Sequence, residues 1–180
     1  MELHLLLGIV NRFYDHVDDV LRRHGCSITA KDWSDKIAIR RPPLHGGEFN
    51  GADCKKLLER IDVLETMMEN ESLTEDGVKV LRAIEAFELV RQKCFRIKLQ
   101  TDYKIVIRNF ESAYKELGIS VTSKVHAVFD HIEQFLDQHD SDHGLGFYSE
   151  QASESAHHDF FSLWQNGVFR MDAAQHIGHE

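Results

Sequence analysis

The chain has 180 residues, of which 42% are apolar and 28% are charged, and its net charge is −9. These values are typical of a soluble globular protein, and the length predicts a single domain. The longest apolar run, residues 5–10, is far shorter than the ~20 residues that span a bilayer, and no secretory signal is recognisable. The sequence therefore indicates an intracellular protein without a membrane segment.

The three cysteines, Cys26, Cys54 and Cys94, are odd in number and lie far apart, with no C-x-x-C pair. This pattern argues against a disulfide framework and against a cysteine zinc site. We expect each cysteine to be a small buried apolar residue in a reducing compartment.

The negative charge is concentrated in the last third of the chain. Residues 126–180 contain ten acids, one basic residue (Arg170) and eight of the twelve histidines, so the whole net charge of −9 falls there. Such a segment repels phosphate backbones and attracts cations. A basic stretch nearer the start is the exception, and it supplies the candidate DNA-binding residues. They are Arg22, Arg23, Arg40, Arg41, Lys55 and Lys56.

Apolar residues recur at three- and four-residue steps along most of the chain, which predicts an all-α domain, a single irregular bundle of six or seven helices. Helix starts are predicted at Thr29, Asn50, Thr74, Thr101, Thr122 and Ser149, and stops at Gly25 and Gly118. The predicted helical domain covers residues 1–166, with a Pro/Gly loop at 40–50, a second loop at 139–148 and a tail at 167–180 that is a candidate for disorder. The sequence does not decide whether residues 95–99 or 147–148 form short strands.

The helix after Ser149 carries a cluster of potential metal ligands. Glu150, Glu154 and His157 are spaced i, i+4 and i+7, so they share one helix face. Two interpretations stay open: a solvated face, since an amphipathic helix must be polar somewhere, or a corner of a metal site. Glu154 is preferred to Glu150 as the functional acid because it lies one turn inside the predicted helix, whereas Glu150 would be at a fraying end.

A second group of candidate ligands lies one helix earlier. His126 and Asp130 are i, i+4 neighbours, whereas an α-helix would point His131 well away from His126. A site joining His126 and Asp130 to the Glu154 cluster is geometrically conceivable, but neither helix has the Glu-x-x-His motif of di-iron bundles.

Four motifs occur in the order of a known family. They are ELHLLLG (2–8), HGGEFNGADCKKLL (45–58), VTSKVHAVFDHIEQF (121–135) and GLGFYSEQASESAHHDF (144–160). Through these motifs the chain resembles a family of eukaryotic transposon-encoded proteins, and the resemblance spans nearly residues 2–166. The parent proteins of this family look like RNase H-like (DDE-type) transposases.

The resemblance implies a fold and a role. In such enzymes two aspartates and a late glutamate hold two divalent metal ions, Mg²⁺ or Mn²⁺, which activate water and stabilise the leaving oxygen. An all-helical block is inserted before the late glutamate in several of them. Here the helices would be that block, and Glu150 or Glu154 would be the last catalytic acid.

The chain departs from the family pattern at one point. No pair of strand-borne aspartates precedes the helices, so we expect no nuclease activity from this chain alone. DNA would be bound through the parent protein, and the cellular location would be nuclear. The alternative function is a non-catalytic module for protein–protein interaction or homo-oligomerisation.

Overall fold

The computed structural model describes residues 2–41, 47–72, 74–139 and 142–150, with the backbone alone at 149 and 150. The predictions for residues 42–46 and 151–180, including the tail, therefore lie outside the described residues. Within the described ranges, no helix combines the length and apolarity needed to cross a membrane.

Helices account for nearly all of the described secondary structure. They are α1 (Glu2–Arg23), α2 (Ala30–Lys36), α3 (Gly51–Glu59), α4 (Ile61–Asn70), α5 (Glu75–Cys94), α6 (Tyr103–Glu116), α7 (Ser123–His126), α8 (Ile132–Gln138) and α9 (Leu145–Glu150). A π-helical turn, Ala127–His131, joins α7 and α8 into one continuous rod. The described part contains no β-strand, only a bridge between Lys98 and His143. The all-α prediction is confirmed, with eight helices when the rod counts as one.

Local hydrogen bonds start four helices where the sequence predicts them; at Thr101 the prediction is wrong, since α6 begins at Tyr103 and its N-cap Asp102 makes no side-chain cap bond. At four of the predicted starts, a side-chain oxygen accepts the backbone N–H three residues later. These pairs are Thr29–Asp32, Asn50–Asp53, Thr74–Gly77 and Thr122–Val125. The predicted stops at Gly25 and Gly118 are also confirmed, since both glycines have positive φ angles, 66° and 65°.

The extra helix arises from a break that the apolar pattern does not reveal. The sequence predicts one helix through residues 50–68, but the chain leaves helical geometry at Arg60 (φ −118°, ψ 35°). The indole nitrogen of Trp33 donates to the carbonyl oxygen of Arg60 at 3.3 Å. The break thus supplies a partner for a buried Trp33 side chain on α2.

An aromatic cluster joins α1, α5, α6 and the rod. Phe110 of α6 is fully buried, and its ring centroid lies 5.1 Å from that of Phe87, 5.3 Å from Phe129, 5.9 Å from Tyr114 and 6.3 Å from Phe13. Tilted and edge-to-face ring pairs of this kind add to the free energy of burial. The cluster fixes the relative positions of the four elements.

Truncating Phe110 should be severely destabilising. We expect Phe110→Ala to lower the free energy of unfolding by about 3–5 kcal/mol, because it leaves a cavity among four rings. Urea denaturation followed by circular dichroism measures the loss. Ile105→Ala is the matched control, since Ile105 lies on the same helix and is 60% exposed; it should change stability by less than about 0.5 kcal/mol. Equal losses in both variants would contradict the assignment of Phe110 to the core.

Candidate functional site

The segment between α5 and α6 pairs with the residues that lead into α9. The N–H of Leu99 donates to Asp142 O at 2.7 Å, and the N–H of Gly144 donates to Ile97 O at 2.9 Å. With the bridge between Lys98 and His143, these bonds make residues 96–99 and 142–144 a short antiparallel ribbon. The ribbon ties the start of α9 to the end of α5.

Two glycines make this close approach possible. A Cβ atom added at Gly144 would collide with the carbonyl oxygen of Arg96, and one added at Gly146 would lie 2.7 Å from that of Phe95. Leu145 between them is fully buried. Only glycine lets the backbone of α9 lie so close to the other segment.

α9 therefore begins at Leu145, and the predicted helix start at Ser149 is wrong. The predicted loop 139–148 ends at Gly144, because the ribbon and the buried Leu145 start the helix earlier than its side-chain signals indicate. The argument that preferred Glu154 to Glu150 loses its basis, since Glu150 is the sixth residue of α9 and not its first turn.

Aromatic side chains hold the outer part of α9. Tyr148 lies edge-on to Phe135 of α8, with ring centroids 5.1 Å apart, and 5.2 Å from His139. Phe147 stacks on His143 at 3.8 Å. These contacts anchor α9 on both the rod and the ribbon.

The first and last described helices meet at one end of the bundle. α1 packs against α9, and Glu2 and Gly146 line the same surface depression together with residues of the 95–100 segment.

Of the predicted catalytic and metal-binding residues, the structure describes the backbone of Glu150 alone. The backbone of Glu150 is the last described residue of α9, while its side chain, Glu154 and His157 lie outside what the structure describes. The metal site at these three residues stays a prediction. Among the described side chains, no group of three or more His, Cys, Asp or Glu is arranged to hold a metal ion.

The structure brings His131 to His126, and the prediction that the two point apart is wrong. Their ring centroids are 5.0 Å apart, and His126 Nδ1 lies 2.7 Å from Asp130 Oδ2. The cause is the π-helical turn, whose i→i+5 hydrogen bonding widens the helix so that residues five apart become neighbours. Burial, and then the nearby His126, lowers the pKa of His131.

Four of the six predicted DNA-binding residues form ion pairs with described carboxylates. The pairs are Arg22 with Asp18 (2.6 Å) and Asp19 (3.2 Å), Arg23 with Asp76 (3.7 Å), Arg41 with Asp15 (2.6 Å) and Lys55 with Glu59 (3.8 Å). Arg40 and Lys56 form none in the described part. These pairs offset the charge that would attract phosphates.

The groove beside α1 illustrates this balance. It is lined by four basic residues, Arg22, Lys31, Arg40 and Arg41, and by four acids, Asp15, Asp18, Asp19 and Asp35. The hydrogen bond that Arg22 donates to Asp18, together with the charges of Asp18 and Asp19, raises the pKa of Arg22. The groove is formally neutral, which does not favour an extended phosphate-binding surface.

Sequence reasoning missed the basic residues of the ribbon. Residues 91–104 contain five cations and one acid, a denser basic segment than the predicted patch. Within it Arg96 and Lys98 are exposed, and neither forms an ion pair with a described carboxylate. The sequence signal for these two residues is the excess of basic residues in 91–104.

The predicted burial is confirmed for Cys54 and Cys94 and is wrong for Cys26. Cys54 and Cys94 are fully buried, Cys26 is half-buried, and all three are free. Desolvation raises the pKa of Cys54 and of Cys94 to about 12, so neither thiol is a ready nucleophile.

In comparisons with known proteins, no family model, no curated protein and no solved structure matched the chain. The arguments that follow rest on the residues and their geometry.

Adding a methyl group at Gly144 should detach α9. We expect Gly144→Ala to cost about 1–3 kcal/mol, because the new Cβ meets the backbone of Arg96 and not a movable side chain. Hydrogen exchange should show faster exchange of the Gly144 and Gly146 amides than in the unmodified chain. Gly118→Asn is the control, since Gly118 has open space around it and asparagine tolerates its positive φ. Unchanged exchange in Gly144→Ala would contradict the anchoring role of the ribbon.

Proposed function

We propose that this chain is the helical domain of a DNA-cleaving protein of the RNase H-like transposase type, and that it supplies an acidic residue of α9 to a metal site completed by other parts of that protein. The observation that carries the proposal is the meeting of α1 and α9 at one end of the bundle. An inserted helical block must leave and re-enter its parent domain at one place, and this arrangement allows it.

The rigid attachment of α9 supports the same role. A metal-binding acid must be held within a fraction of an ångström of its working position by the elements around it. The ribbon bonds, the buried Leu145 and the contact of Tyr148 with Phe135 supply such an anchor one turn before Glu150.

The acids of this helix suit the proposed ion. Glu150, Glu154 and His157 would hold it, because carboxylates suit Mg²⁺ and Mn²⁺ and an imidazole favours Mn²⁺. A divalent ion there would supply Lewis-acid activation of water. We place Glu150 first among the candidates, because it belongs to the anchored part of α9.

Mn²⁺ binding tests the assignment of the acids. We expect Mn²⁺, and not Mg²⁺, to raise the melting temperature slightly, since an ion at ten times its Kd adds only about 1.4 kcal/mol. The loss of the free-Mn²⁺ signal in electron paramagnetic resonance gives the stoichiometry. Both effects should disappear in Glu150→Gln/Glu154→Gln.

The matched control is Glu65→Gln/Glu69→Gln, which removes two exposed acids at the same i, i+4 spacing from α4. It should keep the Mn²⁺ response. A response that survives in Glu150→Gln/Glu154→Gln would remove this helix from the proposal. Plasmid nicking by the chain alone that is lost in Glu150→Ala or Glu154→Ala would instead show a complete active site.

The competing function is a dimerisation module. A stable interface buries about 800 Å² per partner around an apolar centre. The exposed large apolar residues of the described part are spread over five segments: Leu3, Val78, Leu89, Ile97, Ile105 and Val121. This distribution does not favour a dimer interface.

We therefore expect a monomer in light scattering at micromolar concentration, with or without DNA. A stable dimer that is indifferent to DNA would support the interaction module and oppose the proposed function.

A further inference from the structure

The 95–100 segment exposes two cations that lie two residues apart. Phe95 and Leu99 pack against the core, whereas Arg96, Lys98 and Gln100 are exposed, and Ile97 between the two cations is 50% exposed. The outer face of the segment thus carries two cations, an amide and one apolar side chain.

The second segment extends this face with aromatic rings. Lys98 and His143 lie opposite each other across the bridge, so their side chains share one face of the ribbon. His143 in turn stacks on Phe147, with ring centroids 3.8 Å apart and an interplanar angle of 29°. We call Arg96, Lys98, Gln100, His143 and Phe147 the ribbon surface.

The two cations differ from their neighbours in sequence. The other three basic residues of 91–104 form ion pairs with described carboxylates: Arg91 with Glu88 at 2.6 Å, Lys93 with Asp102 at 3.3 Å and Lys104 with Asp137 at 2.6 Å. Arg96 and Lys98 form none with a described carboxylate. Their charge is available to a ligand.

Two described acids lie near the two cations. Glu2 lines the depression beside Arg96 and Lys98, and Asp142 is an exposed residue of the ribbon. Neither acid forms an ion pair with Arg96 or Lys98. Among the described residues, both cations therefore remain unpaired in a chain whose net charge is −9.

We propose that the ribbon surface binds an unpaired DNA strand, with Arg96 and Lys98 contacting phosphates and the His143–Phe147 pair stacking on a base. Exposed cations next to an aromatic platform are the combination that holds single strands without sequence preference. Glu150 follows Phe147 by three residues on α9, so a strand on this surface reaches the proposed metal-binding helix. The proposal rests on the proposed function and identifies where its substrate lies.

Fluorescence anisotropy with a labelled single strand of about 20 nucleotides tests the proposal. We expect Arg96→Ala/Lys98→Ala to weaken binding by about tenfold to a hundredfold at ~0.1 M salt, and to reduce the slope of log K against log salt by about 1.4, because two phosphate contacts are lost. Phe147→Leu, which keeps the apolar volume, should weaken binding about fivefold or more through the lost stacking.

Lys36→Ala/Arg108→Ala is the matched control. It removes two exposed cations that also have no described carboxylate partner, so it makes the same change in net charge. It should bind the strand as the unmodified chain does. Equal weakening in the two double variants would overturn the ribbon surface, and so would unchanged binding in Arg96→Ala/Lys98→Ala or an unmodified chain that binds no strand.

The outcomes separate this proposal from the proposed function. Strand binding that depends on Arg96 and Lys98, without a Mn²⁺ response, would support the ribbon surface and remove the metal role of α9. A Mn²⁺ response that depends on Glu150 and Glu154, without strand binding, would support the metal role of α9 and remove the ribbon surface.

Discussion

The packing of the aromatic cluster around Phe110 is the interaction on which the other features depend. It binds α1, α5, α6 and the rod to each other, and α5 and α6 are the two helices from which the 95–100 segment emerges. Because the ends of that segment are fixed, its backbone holds residues 142–146 in place by hydrogen bonds. The position of α9, and of Glu150 at its end, is a consequence of core packing more than 30 residues earlier in the chain.

Charge pairing selects which surfaces are available to ligands. On the α1 groove, acids and bases occur in equal number, so the attraction between neighbouring side chains cancels most of the field. On the ribbon, Arg96 and Lys98 are exposed and form no ion pair with a described carboxylate. The same residue types therefore have different potentials in the two places, and the difference is one of geometry.

The π-helical turn shows how a small change in backbone hydrogen bonding alters a candidate site. Widening one turn of the rod brings His131 beside His126, which already contacts Asp130. Among the described residues, no group of three or more His, Cys, Asp or Glu is arranged to hold a metal ion, so the histidine pair and Asp130 form no such site. The pair lies at the junction of α7 and α8, whereas the surface that we propose for a DNA strand lies at the α9 end.

The sequence by itself determined the features that depend on neighbours within four residues. Thr29, Asn50, Thr74 and Thr122 cap helices because each side chain reaches an N–H three residues away, and Gly25 and Gly118 end helices because glycine accepts a positive φ. The all-α class follows from the same short-range periodicity.

The tertiary structure alone decided the features that depend on distant segments. At Arg60 the helix breaks where its carbonyl oxygen accepts a hydrogen bond from Trp33. The early start of α9 follows from the contacts of Gly144 with Ile97 and Arg96. Lys98 keeps an unpaired charge because it forms no ion pair with a described carboxylate. A periodic pattern records which residues of one helix share a face. It does not record which backbone lies against which, because those contacts join residues tens of positions apart.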